Sequence, residues 1–566
     1  MLGKFIFLII LLDGFYKLWY NCQIQSFNRK KGCRNMKIKN LKEMLTLVEK
    51  QFGDRVAFGI KDSEDTFKNI SYKEFVREVN ALGTYLASIG ISGKHVAIVS
   101  ENRYEWIVAY LAAICGGVVI PIDRDLPGES IAHLLEQGEA EAVFFSDVYE
   151  DIIGDANLPL MKHTFCFDTD DYSNALKKGL ELLDGGDTSF TDVEVDNERM
   201  ASMIFTSGTT GFSKGVMLCH RNITNNIYNA TAFEKYHEHE VLLSILPYHH
   251  VFECTLGLMA SITFGATICI NDSLKYIPDN MQLFKPTVMF LVPAIVNAMY
   301  SKLVAIEEAI ERSLTPYEVQ EMVFGGNLKA IFSGGAPLNI ELIQKFKDYE
   351  ISLLQGYGLT ETSPVVTATM FDRINESNIA SVGEVIPGCE VKIAPDGEIW
   401  VKGDNVMLGY YKNPEATEEV MEDGWFKTGD LGYLDENGFL FISGRKKNLI
   451  IASGGENVYP EEIEQYLYNF PLVEDALIYG GDDPTKEVVT AVINPKQDPE
   501  DATDEDDNPI PPRSKEEIIA LIDEAIEEIN EKLPVYKQIA IVKYRHTPFE
   551  KTTSRKVKRN KENTIV

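Results

Sequence analysis

TSGTTGFSKGV, residues 206–216, is the most informative stretch of this 566-residue chain. Its glycines Gly208, Gly211 and Gly215 alternate with the hydroxyls of Thr206, Ser207, Thr209 and Thr210 and with Lys214. Glycines let backbone N–H groups approach an anion closely, and hydroxyls and an ammonium add donors and charge. The spacing is not that of a P-loop, which needs four residues between its glycines and then Gly-Lys-Ser/Thr. A surface turn is the plain alternative for any single Gly/Ser-rich loop. Here the apolar Met203–Phe205 reads as a preceding strand and the stretch after the loop reads as helical, an order that favours phosphate.

Around this loop, from about residue 40 to 350, continuous apolar runs alternate with helical patterns. His95–Ser100, Gly117–Ile122, Ala142–Ser146 and Thr287–Val292 are such runs. Apolar strands between helices predict buried parallel sheets of the α/β class. From about 380 the texture changes. Glu390–Lys402 alternates about Pro395-Asp396-Gly397, and Gly432–Gly444 about Asn437-Gly438, so two hairpins are expected. Pro460–Tyr468 and Lys515–Leu533 have helical spacing. The predicted architecture is therefore a large N-terminal domain (37–446) of two α/β subdomains plus a small β region, followed by a small, mobile α+β domain (447–566). Within the latter, the acidic, Pro-rich segment 498–513 reads as an exposed loop.

Composition is ordinary except for charge: 86 acidic against 54 basic residues, net −32. Such a body repels polyanions, which argues against a nucleic-acid partner but not against a small anion in a local positive pocket. The eight cysteines include no Cys-x-x-Cys pair, so reduced, mostly buried thiols in the cytoplasm are expected and no zinc site is. Residues 1–36 form an extension. Its apolar run Phe5–Leu12 is short for a membrane span and is interrupted by Asp13-Gly14. It reads as a dispensable extension or as a weak peripheral membrane contact through residues 1–20. Met36 opens an amphipathic pattern, MKIKNLKEMLTLVEK.

Four further motifs carry chemistry. In Gln355–Glu361 (QGYGLTE), Tyr357 offers a ring to a base and Glu361 a carboxylate to Mg²⁺. Upstream, Ser333–Leu338 (SGGAPL) is a second close-backbone turn. In Thr428–Gly432 (TGDLG), Asp430 can accept both hydroxyls of a ribose. Gly444–Glu464 carries Arg445 at a hairpin end and a turn at Ser453–Asn457. Lys551–Arg559 (KTTSRKVKR) is a basic cluster that on its own reads equally as a basic tail.

In this order and spacing the five motifs resemble the acyl-adenylate-forming superfamily over about residues 38–560, and Leu246–Glu253 (LPYHHVFE) is most similar to the long-chain fatty acyl-CoA ligases. The resemblance implies a two-step reaction. A carboxylate attacks the α-phosphate of ATP to give acyl-AMP and pyrophosphate, and a thiol then takes the acyl group as the C-terminal domain swings about a hinge. It implies ATP, Mg²⁺ and coenzyme A as cofactors. It further implies that the loop Thr206, Ser207, Gly208, Thr209, Thr210, Gly211 and Lys214 holds the pyrophosphate end of ATP. Gly335, Ala336, Tyr357 and Gly358 would serve the adenine side, and Asp430 and Arg445 the ribose. Glu361 would ligate Mg²⁺, with Thr360 near the α-phosphate. His250 would lie near the acyl pocket, with His249 the weaker candidate. Lys447 matches the hinge. Gly454, Gly455 and Glu456 match the segment that faces coenzyme A. Lys556 matches the lysine that bridges carboxylate and α-phosphate. One departure stands beside it: Arg555 replaces the usual glycine.

The same resemblance leaves acid and acceptor open. A medium- to long-chain fatty acid is expected. An amino acid is the alternative, because amino-acid-activating domains place an acidic residue near Glu253. The acceptor is coenzyme A or the thiol of an acyl carrier protein. A weakened homologue that only binds acyl-adenylate or lipid is a further alternative, supported by Arg555.

Overall fold

The computed structural model describes residues 38–63, 66–206, 213–231, 238–370, 373–452, 455–481, 488–497, 512–551 and 557–566. The expected runs form strands a residue or so shorter at their ends: His95–Val99, Val118–Pro121, Ala142–Phe145 and Val288–Leu291. Each is buried on both faces except His95, consistent with a sheet covered on both sides.

Two large sheets make up the N-terminal part. The seven-stranded sheet runs Gly409–Tyr410, Lys214–Cys219, Met200–Thr206, Val118–Pro121, His95–Val99, Ala142–Phe145, His163–Cys166. It is parallel from Met200–Thr206 onward and antiparallel before it. The nine-stranded sheet has a parallel centre, Ser352–Gly358, Ala330–Ser333, Val288–Leu291, Val241–Ser244, Thr267–Ile270 and Val56–Lys61, with antiparallel edges. The chain thus enters the second sheet first, leaves for the seven-stranded one, and returns. One core joins the two: Val119 and Phe144 of one sheet share it with Ile268 and Val288 of the other. The helix Tyr104–Gly116, apolar on all sides and buried along nearly its whole length, lies in that core.

The helix expected after Met36 is Leu41–Phe52, capped by Asn40, whose side chain accepts from the Glu43 amide. Both expected hairpins are present in a five-stranded antiparallel sheet, Cys389–Ile393 with Glu398–Gly403 and Trp425–Leu434 with Leu440–Arg445. The C-terminal domain packs Pro460–Tyr468 and Lys515–Lys532 on the sheet Val473–Gly480, Val489–Pro495, Ile541–Tyr544. Ile518, Ile522, Ile526 and Ile529 form the buried stripe of the longer helix, which starts at a Ser514/Glu517 capping box. The acidic segment lies outside the described residues at 498–511, as does the extension at 1–37. Among the described residues no helix is long and apolar enough to cross a membrane. The six described cysteines are free, and five of them are buried.

One expectation fails. The stretch after the 206–216 loop is not a helix. Lys214–Cys219 is a strand that turns back antiparallel on Met200–Thr206, pairing Lys214 with Thr206, and the helix His220–Ala230 begins only after it. The loop therefore closes a hairpin, and a helix N-terminus does not follow it. Any phosphate binding there must come from loop backbone, hydroxyls and Lys214.

Candidate active site

The site grows from the end of the strand Ser352–Gly358. Tyr357 lies on this strand, and a single turn, Thr360–Thr362, places Thr360 and Glu361 just beyond it. The turn is fixed locally: the Leu359 amide donates to Thr362 Oγ1, and Thr362 Oγ1 donates to Pro364 O. Gly358 is required for close approach, since a Cβ there would meet the Pro364 carbonyl oxygen at 1.7 Å.

Glu361 is reached from two directions. Its carbonyl accepts the Met407 amide, and its Oε1 accepts the Tyr410 hydroxyl at 2.9 Å. Tyr410 lies on the short edge strand beside Lys214–Cys219, and Lys214 Nζ stands 4.8 Å from the centre of its ring. Tyr410 is therefore the link that joins the base of the 206–216 loop to Glu361. Its hydroxyl is held firmly neutral by burial first and by the Glu361 carboxylate second. Glu361 Oε2 makes no hydrogen bond to a described residue, so an oxygen of the kind hard divalent cations take is left open.

A second cluster forms on the other side of Tyr357. Its hydroxyl donates to Asp430 Oδ2 at 2.7 Å, and Arg445 Nε pairs with Asp430 Oδ1 at 2.8 Å. Asp430 and Arg445 face each other across the hairpin Trp425–Leu434/Leu440–Arg445. The Asp430 carboxylate is 6% exposed and the Arg445 guanidinium 41%. Burial, then the Asp430 charge, pushes the Tyr357 hydroxyl far above its ordinary range, so it stays a donor.

Gly335, at a φ of +82°, and the exposed Ala336 sit in the turn after the strand Ala330–Ser333, next in the sheet to the strand of Tyr357. Gly334 faces the Phe252 ring, which packs edge-on against Phe290. The segment carrying Phe252 is a helix of wide i→i+5 turns, Phe252–Ala260, a form that recurs at functional sites. Just before it the rings of His249 and His250 lie 4.3 Å apart, and His249 Nε2 stands 3.5 Å from Asp123 Oδ2. Glu253 is wholly buried. Ser244 Oγ donates to its Oε1, while its Oε2 has no described hydrogen-bond partner. A Cβ at Gly257 would lie 2.7 Å from the Glu253 carboxyl carbon, so Gly257 makes the room in which the carboxyl sits. Burial pushes the Glu253 carboxyl up to about 8, which keeps it protonated and uncharged at neutral pH.

Lys447 follows Arg445 by two residues, where the chain passes into the C-terminal domain. Its neighbour Lys446 is tied to Asp396 and Glu398. Gly455, at a φ of +89°, and the exposed Glu456 lie in the turn of the small ribbon Ile450–Ile451/Asn457–Val458. The basic cluster is no free tail. Lys551 pairs with Asp475, Arg559 with Glu464 and Glu461, and Lys551 forms a bridge with Val557. Lys556 and Arg555 lie outside the described residues, as do Ser207, Gly208, Thr209, Thr210, Gly211 and Gly454. The structure thus brings Thr206, Lys214, Tyr357, Gly358, Thr360, Glu361, Asp430 and Arg445 into one connected set. Tyr410, which belongs to that set, and Ser244, which holds Glu253 apart from it, are the residues that sequence reasoning missed.

Residues 46–411 match the AMP-binding enzyme family, and residues 447–564 match the AMP-binding enzyme C-terminal domain. The chain is 30% identical over 461 residues to long-chain-fatty-acid–CoA ligase FadD15 of Mycobacterium bovis, an alignment covering 74% of this chain and 76% of the relative. It is 31% identical over 434 residues to 2-succinylbenzoate–CoA ligase of Listeria monocytogenes, covering 75% and 83%. Among solved structures, O-succinylbenzoate coenzyme A synthetase of Bacillus subtilis in complex with ATP and magnesium superposes with a TM-score of 0.73 at 23% identity, covering 92% of this chain and 98% of the other. A fatty acyl CoA synthetase of Mycobacterium tuberculosis gives 0.65 at 22%, covering 92% and 97%.

Proposed function

The chain belongs to the AMP-binding enzymes, as an acyl-adenylate-forming acid–CoA ligase using ATP, Mg²⁺ and coenzyme A, and on that premise we propose that the acid it activates is a medium- to long-chain fatty acid. The observation that carries this reading is the chemistry of the 241–270 segment, which holds His250 and Phe252. An amino acid would need an anion for its ammonium, and a dicarboxylic acid a cation for its second carboxylate. This segment contains no Lys or Arg, and its one acidic side chain, Glu253, is buried, bonded to Ser244 and uncharged. The rest of the segment is largely apolar, and its Leu256, Leu258, Met259 and Ile262 are buried in the core beside it. The likeness to FadD15 supports the same acid, while the equal likeness to a succinylbenzoate ligase makes a direct test necessary.

In this reading the acid's carboxylate and the α-phosphate, both anionic, are brought together by groups that offset their charge. Lys214 and the loop hold the departing pyrophosphate, and Asp430, oriented by Tyr357 and Arg445, takes the ribose hydroxyls. Glu361, steadied by Tyr410, would hold Mg²⁺, which would supply positive charge for the phosphoryl oxygens. Lys556 reaches carboxylate and α-phosphate from the C-terminal domain, and Lys447 is the hinge on which that domain turns to bring Gly454, Gly455 and Glu456 to the thiol. Fatty acids are expected to support ATP–pyrophosphate exchange and, with coenzyme A, thioester formation. Exchange with amino acids or 2-succinylbenzoate but not with decanoate or palmitate would overturn the fatty-acid reading. Exchange with no acid would favour a binder, and thioester formed only on a carrier protein would replace coenzyme A as acceptor.

A further inference from the structure

A groove of about 350 Å³ lies within the C-terminal domain, its lining beginning two residues beyond Arg445. Its walls are the turn Lys447–Ile450, the strand end Leu477–Gly480 and the closing residues Arg559–Lys561 and Thr564. Three of its lining side chains are cationic, Lys447, Arg559 and Lys561, and none is a carboxylate. In a chain of net charge −32 such a lining is an exception.

The three cations differ in what already satisfies them. Arg559 is anchored from behind: it donates to the Ile478 carbonyl at 2.7 Å and pairs with Glu464 at 2.6 Å. The strand backbone is satisfied as well, since the Ile478 amide donates to Glu464. The ammonium groups of Lys447 and Lys561 make no hydrogen bond or ion pair with any described residue. The unmet groups of the groove are therefore cationic donors. Partial burial and then the neighbouring Arg445 and Arg559 charges hold the Lys447 ammonium below the ordinary lysine range, against the opposing pull of the Asp430 and Glu461 carboxylates.

We propose that this groove binds a phosphate-bearing anion, with Lys447 and Lys561 as its direct contacts and Arg559 as the fixed charge behind them. Phosphate oxygens present several acceptors and more than one negative charge, which matches two ammonium groups that line one groove from separate elements. The volume lies at the lower end of the range of about 300–1,000 Å³ for small-molecule sites, enough for a diphosphate or a phosphorylated ribose. The groove is independent of which acid the enzyme activates. Two sources carry the chemistry: pyrophosphate released on adenylation, and the phosphorylated nucleotide end of coenzyme A. Because Lys447 stands two residues from Arg445, an occupant would touch the connection between the domains.

The test is calorimetric titration of the full chain, with its adenylate site first filled by a non-reactive acyl-sulfamoyl adenosine so that pyrophosphate cannot enter it. Inorganic phosphate, pyrophosphate and adenosine 3′,5′-bisphosphate are titrated separately into wild type and Lys561→Ala. Lys561 is exposed and outside the catalytic set, so ATP–pyrophosphate exchange is expected to be unchanged in the variant. Binding of at least one anion is expected to weaken about tenfold, the scale of a lost charged hydrogen bond. Weakening confined to pyrophosphate identifies the released product, and weakening of the bisphosphate identifies the nucleotide end of the thiol substrate. No binding of any of the three anions, or equal affinity in wild type and Lys561→Ala, overturns the proposal.

Discussion

Replacing Glu253 by Gln tests the electrostatics of the acyl side of the site through a pH slope. The carboxyl is wholly buried, accepts one hydrogen bond from Ser244 and titrates near 8 against an ordinary 4.5. Between those values the folded protein holds a proton that the unfolded chain releases. Stability must then fall as pH rises, by about 1.4 kcal/mol per pH unit. The penalty is absent below about pH 4.5, grows through neutrality, and levels off above 8. Gln has the same shape and cannot ionise. Its amide carries a fixed cost or gain, but one that does not vary with pH. All other titrations are shared by the two proteins and cancel in their difference. Urea unfolding at pH 5.5, 6.5 and 7.5 is therefore expected to show Glu253→Gln gaining on wild type by roughly 3 kcal/mol across the two units. Infrared difference spectra at pH 7 should show a protonated carboxyl stretch that the variant lacks. A stability difference that stays flat with pH, with no such band, would mean that the carboxyl is ionised in the fold. The argument against an amino-acid substrate would then fall with it.

Three further outcomes follow from the same geometry. Tyr357→Phe removes a charged hydrogen bond worth about 1.5–3 kcal/mol; the KM for ATP should rise about tenfold or more with kcat little changed, and an unaltered KM would remove Asp430 from nucleotide binding. Glu361→Gln should lower adenylation by about two to three orders of magnitude and raise the Mg²⁺ concentration needed for half-maximal rate, whereas a normal Mg²⁺ titration would assign the metal elsewhere. Lys556→Ala should abolish pyrophosphate release while leaving thiol transfer from supplied acyl-adenylate largely intact; unchanged release would reject the assignment and point to another side chain near Arg555.

What the sequence made legible is what depends on near neighbours. Continuous apolar runs such as Ala142–Phe145 read as buried strands because they are only four to six residues long and alternate with longer helical patterns, as the strands of a covered sheet do. The Asn437-Gly438 hairpin was readable from its turn residues. Lys214–Cys219 was not, because a short apolar run has no period by which to tell strand from helix, and only its pairing with Met200–Thr206 settles it. The pairing of Val56–Lys61 with Thr267–Ile270 had no local signature at all, since the partners are some two hundred residues apart. The site divides in the same way. Its glycines, Glu361 and Asp430 announce themselves through motif spacing. Tyr410, which joins Lys214 to Glu361, is one tyrosine among 25 until the fold sets it beside both.

The charges in the described part of the site constrain how the reaction can be driven. Arg445 is already committed to Asp430, so this pair brings no net charge to the nucleotide. Lys214, over the Tyr410 ring, and Glu361, bonded to the Tyr410 hydroxyl, are opposite charges held by one side chain, and they too nearly cancel. The described cluster is therefore close to neutral. Yet it must receive a polyphosphate and a carboxylate together, and the cost of adjoining anions in a partly buried site is severe. The excess positive charge has to be imported, on the proposed reading by Mg²⁺ on Glu361 and by Lys556 from the other domain. On that reading each would supply what the other cannot: the metal would offset the phosphate charge, and the lysine would span phosphate and carboxylate. If both act on one transition state, their losses should not add. The Glu361→Gln/Lys556→Ala double variant should then adenylate about as slowly as the worse single variant. Losses that multiply would show two independent steps and would break the link between domain rotation and charge compensation at the α-phosphate.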